Sequence, residues 1–242
     1  MANKAKSSKV SEKDRRARVE AMRREQLARE RRKSMLIVVI AVIVGIAIVT
    51  AAALPAYLKK RNDPANKSLS SFGVSAAAAS CSTIQTTNGT NTSVLRTHVA
   101  DNTVEKYKTV PPSYGPHWAT PVIGSRPFYT VKDRPAMETL VHNLEHGYTI
   151  IWYDNTITGG ALSALKDLSS SARARNETAP AKFIVSAWDK AYGSFPAGKH
   201  IGISHWGTAD SHIQLCGKLS GQVVDTFIKK YPARDSPEPS AA

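Results

Sequence analysis

Cysteine is almost missing: Cys81 and Cys216 are the two in 242 residues. They allow one intramolecular bond, and without a C-x-x-C spacing they speak against a reactive dithiol or a pair of copper-binding thiolates. Also missing are a G-x-S-x-G elbow, a P-loop, a Rossmann glycine pattern and a lone cysteine with a partner histidine, so the common enzyme signatures are absent. Acidic residues are scarce at the start, where residues 1–33 hold 13 Lys and Arg against 5 Asp and Glu. Charge of either sign is absent from residues 35–54, MLIVVIAVIVGIAIVTAAAL.

That uncharged run is the first thing present. A helix of this length spans roughly 30 Å, the thickness of a bilayer's hydrocarbon core. The basic arm before it assigns residues 1–34 to the cytoplasm by the positive-inside rule and sends the rest of the chain out across a bacterial cell membrane in a single pass. A cleavable signal peptide ending at the LPA before Tyr57 is the competing reading; the apolar run is too long and the basic region too extended for most of them. The arm accounts for most of the formal charge of +14, leaving 20 basic against 14 acidic residues after it, so the exported part is not expected to bind nucleic acid. The arm itself is a solvated helix or lies on anionic lipid.

The expected organisation is therefore a basic tail over 1–34, an anchor over 35–58, a flexible Ala/Ser-rich linker over 59–79, one exported domain over 80–236 and a disordered tail over 237–242. The domain is long enough to bury a substantial core. Cys81 and Cys216 fall at its two ends, on the side of the membrane where disulfides persist, and closing so long a loop is worth about 4 to 5 kcal/mol in the chain-entropy model. Runs rich in β-branched and aromatic residues predict strands at 148–153, 182–188 and 200–206. Apolar spacing predicts helices at 160–174 and 220–230, the second stopped by Pro232. The fold class is α+β, with a mixed sheet and two to three helices after one transmembrane helix; residues 82–132 are rich in loops and carry no assignable element.

Histidine is where chemistry concentrates. In VHNLEHG, residues 141–147, Asp133 and Pro135 open a helix over 136–146 that Gly147 ends, which puts His142 and His146 one above the other at i and i+4. Two such imidazoles reach one transition metal, copper or zinc, with His117 in PPSYGPHW as the leading third ligand, Glu145 nearby, and His205 and His212 as further candidates. The alternative needs no metal, because a histidine near a helix C-terminus is favoured by the dipole and by free carbonyls. H-x-x-E-H is also the spacing of inverted zinc peptidases, with Glu145 as base. Those enzymes are much larger and carry an additional acidic ligand with no counterpart here.

PPSYGPHW, then VHNLEHG and an apolar strand, then Ala187-Trp188, then Phe227 through Ser236-Pro237-Glu238-Pro239 together make the chain resemble a bacterial membrane-anchored family known as domain of unknown function 3105. Tyr114 departs from the family pattern, which has serine there. The resemblance implies the anchored topology and marks His117, His142, Glu145 and His146, without implying an activity. Three functions follow as expectations. The first is a non-enzymatic accessory subunit of a respiratory or envelope complex, with the bilayer and a membrane protein as partners and no identifiable small-molecule substrate. The second is an exported copper- or zinc-binding domain, and the third a metal hydrolase.

Overall fold

The computed structural model describes residues 2–123, 126–175 and 182–241; the outermost residues of the two expected tails, Met1 and Ala242, lie outside them. Two compact units divide the chain, residues 1–61 and 62–242. The first is one helix, α1 (Ala2–Asn62), with Pro55 inside it. Its apolar part is long enough and uncharged enough to cross a membrane. In its basic arm Arg16 and Arg24 pair with Glu12 and Glu20 one turn back, at 2.7 and 2.8 Å.

The second unit is α+β. Its elements in chain order are β1 (Gln85–Thr87), β2 (His98–Val99), β3 (His117–Trp118), β4 (Phe128–Tyr129), α2 (Met137–Glu145), β5 (Thr149–Tyr153), α3 (Gly159–Arg175), β6 (Phe183–Ala187), β7 (Ile201–Trp206), β8 (Ser211–Cys216) and α4 (Gly221–Lys230). Six strands form one mixed sheet in the order β1-β8-β7-β5-β6-β4. β5 runs parallel to β6, which α3 connects, and antiparallel to β7. β2 and β3 form a separate parallel pair.

Side chains alternate across a strand, and here both faces are covered. Ile151, Tyr153, Phe183 and Val185 point to one side, where Leu165 and Leu168 of α3 and Val224 and Phe227 of α4 close a core. Ile150, Trp152 and Ile184 point to the other, under Leu140, Val141 and Leu144 of α2. The second face carries His117 and His142, whereas His205 and His212 lie on the first, against Tyr231. Cys81 and Cys216 are bonded to each other.

Two stretches expected to be loose are packed. Residues 59–62 finish α1, and 63–79 form three short 3-10 turns instead of a flexible linker. Leu69 and Phe72 are its large apolar side chains, and burying them in the core outweighs the entropy of a free tether. Gly73 makes this possible: at φ +75° it lies so close to the Leu219 carbonyl that a Cβ would stand 2.1 Å from the oxygen. The C-terminal segment, expected to be disordered, is also held. Ser236 is buried, the Glu238 backbone N–H donates to the Glu145 carbonyl at 3.0 Å, and the buried Lys182 ammonium donates to the carbonyls of His146, Pro239 and Ala241 at 2.6, 2.7 and 2.8 Å.

Candidate metal centre

α2 starts one residue later than its sequence predicts. Ala136 is the residue before its first turn and, as alanine, has no side chain to cap it, while Asp133 turns back and accepts from the Thr130 N–H and hydroxyl at 2.6 and 2.7 Å. The other end matches expectation: Gly147 adopts φ +89°, its N–H bonds Leu144 O at 2.9 Å and Tyr148 N–H bonds Asn143 O at 3.0 Å. This close turn fixes His142, Glu145 and His146 against the buried β5.

The structure gathers His98, His117, His142 and Glu145, whose ligand atoms all lie within 4.8 Å of one another. Each arrives by a simple route. The β2–β3 register sets His98 beside His117, and His142 and Glu145, three apart on α2, share one helical face. Ring centroids are 4.6 Å apart for His117 and His142, 4.8 Å for His98 and His142, and 5.1 Å for His98 and His117. His117, His142 and Glu145 are buried; His98 is exposed at the rim.

The orientation of the rings is set from behind. His117 Nδ1 donates to Gly115 O at 2.8 Å and His142 Nδ1 to Trp118 O at 2.7 Å. In a neutral imidazole this fixes the tautomer and leaves Nε2 as a lone pair. His117 Nε2 stands 2.9 Å from Glu145 Oε2, and both atoms are buried without a hydrogen-bond partner among the described residues. At that distance the two atoms are joined by a proton on Nε2 or by a cation. Glu145 is ionised: burial pushes its carboxyl up, but His117 and the Arg96 guanidinium hold it down at about 2. Arg96 Nε reaches Glu145 Oε1 at 2.5 Å, and the same guanidinium pairs with Glu238. His142 is neutral near pH 7, because burial, then His117 and His146, lower it to about 4.

His146 packs edge-on against His142, with ring centroids 4.5 Å apart, but its ligand atom is not in this group. As the residue capping α2, with φ −77° and ψ 4°, it has left helical geometry, and its ligand atom falls in a second group with Glu145 and Glu238, 3.6 Å from Glu238 Oε2. Arg96 already supplies the positive charge between those carboxylates. His205 and His212, cross-strand partners on β7 and β8, join neither group. His205 donates from Nε2 to Asp235 O at 2.6 Å, and His212 stacks on Tyr231 with centroids 3.7 Å apart.

Sequence reasoning missed His98, Arg96 and Glu238. His98 lies in a loop-rich stretch where the β-branched residues next to it, Thr97 and Val99, make too short a run for a strand signal. Glu145 Oε1 meets Arg96, and Oε2 faces His117 and His98. The arrangement offers three imidazoles and one carboxylate to a divalent ion. Around a tetrahedral zinc with bonds near 2.0–2.1 Å, neighbouring donors stand roughly 3.3 Å apart; the His117–Glu145 and His98–Glu145 separations of 2.9 and 3.9 Å bracket that value.

Residues 98–242 match a family described as protein of unknown function (DUF3105). The match begins at His98 and leaves α1 outside it. No curated protein and no solved structure matches the chain.

Proposed function

The chain belongs to the DUF3105 family, and from that premise we propose that its exported domain binds one divalent transition ion, zinc or copper(II), through His98, His117, His142 and Glu145. The observation that carries the reading is the convergence of His98, His117, His142 and Glu145 on one point, with His117 Nε2 and Glu145 Oε2 buried 2.9 Å apart. An ion there bonds both atoms together with the His98 and His142 rings. Backbone carbonyls behind His117 and His142 supply the outer support that metal-binding imidazoles need. Imidazole and carboxylate donors, with both cysteines in a disulfide, favour a borderline divalent ion over copper(I). The anchor α1 and its basic arm support an exported, membrane-tethered location. The accessory-subunit reading rests on that anchor alone, so the metal-binding reading stands ahead of it.

The test is elemental analysis of the full chain in detergent after exposure to zinc and copper(II) and desalting, beside His117→Ala and His142→Ala. One equivalent of metal in the wild type, lost in both variants, is the expected result. Equal metal in all three, or none in any, removes the proposal.

A further inference from the structure

The four ligands are not held alike. His117, His142 and Glu145 are 0, 3 and 1 % exposed, and each is fixed from a second side: by Gly115 O, by Trp118 O and by Arg96. The His98 side chain is 49 % exposed. It stands on a two-residue strand, and among the described residues no hydrogen bond holds its ring. Its Nε2 is 3.9 Å from Glu145 Oε2, against 2.9 Å for His117. A structural site encloses its ion in four fixed donors, whereas a site that exchanges a ligand keeps one position open.

Building on the metal-binding reading, we propose that His98 is the exchangeable ligand, through which the ion is passed to an acceptor protein presenting an imidazole. One bond from the ion to His98 Nε2 breaks as one bond to the incoming imidazole nitrogen forms. Both rings are neutral and the ion keeps its charge, so no electron or proton moves and no further reactant is needed. The three buried donors hold the ion during this step, and the half-exposed ring swings outward into space it already borders. Displacement by a like donor costs little, and the ion then leaves with the partner that supplies further ligands. The acceptor is recognised by its donor chemistry, a surface imidazole set able to complete the coordination that His98 gives up.

The experiment uses the full chain in detergent, loaded with zinc and freed of excess, with release followed by the absorbance of 4-(2-pyridylazo)resorcinol. In the wild type, added imidazole speeds release by opening the His98 position. His98→Ala takes up one equivalent at saturating zinc but loses it at least tenfold faster. Imidazole then has the opposite sign and slows its release toward the wild-type rate by filling the vacated place. Cobalt(II) in the same variant changes its visible absorption as one imidazole binds. Release from the variant at the wild-type rate, or a wild type indifferent to imidazole, overturns the exchange role. So does a variant unable to hold zinc at saturation, which makes His98 a fixed ligand. A wild type that takes up no zinc overturns the metal-binding reading itself.

Discussion

Single residues at the end of α2 carry opposed electrostatic demands, and pH separates them. Burial first, then neighbouring histidines, lower His142 to about 4, and burial lowers His205 to about 4. Unfolded, each takes up a proton near 6.5. Their folded-state contribution is complete above pH 6.5 and is lost as pH falls from there toward 4, since the unfolded chain binds protons that the folded one refuses. Glu145 acts the same way lower down: its contribution is complete above about 4.5 and vanishes as pH falls through about 2. The urea midpoint of residues 62–242 is expected to be flat from pH 8 to 7 and to decline from 6.5 to 4.5, a decline shallower in His205→Gln. Lys182 makes a second case. Lys182→Met keeps the apolar stem and removes three hydrogen bonds from an ammonium to carbonyls, so a loss of about 2 to 4 kcal/mol is expected in the same denaturation measurement.

Among elements, α2 with its glycine stop is the decisive one. At Gly147 a Cβ would meet the Ala233 carbonyl oxygen at 2.2 Å in a backbone of φ +89°. Gly147→Ala is expected to cost more than about 2 kcal/mol in urea unfolding, combining the left-handed penalty with displacement of the C-terminal segment. Zinc affinity, read by competition with a chelator, is expected to fall in the same variant, because that segment brings Glu238 to Arg96 and Arg96 to Glu145. The elements legible in the sequence were those long enough to show a period. The β-branched runs at 148–153, 182–188 and 200–206 became β5, β6 and β7, and the leucines of 160–174 became α3. β8, with Ser211, His212 and Gln214 mixed among its apolar residues, gives no clear alternation, and β1 to β4 are two or three residues long. The candidate site divides the same way: the local motifs point to His117, His142, Glu145 and His146, of which His146 falls in a different group, while His98 joins the others only through a strand pairing.

For the whole molecule, the two cysteines tie the stretch before β1 to the end of β8, 135 residues apart. Cys81→Ser with Cys216→Ser is expected to cost about 4 to 5 kcal/mol of stability, read as a lowered urea midpoint relative to the oxidised wild type and matched by the wild type under reductant. The sheet repeats that long-range tie without covalent bonds, because among the described residues β1, the first strand of the domain, pairs only with β8, the last. A chain interrupted between β1 and β8 therefore presents two faults together, a Cys81 thiol without its mate and a β1 without its partner strand. An unfinished copy carries its own chemical label: on the oxidising side of a membrane, a thiol that still reacts with an impermeant maleimide marks a molecule whose last strand has not arrived.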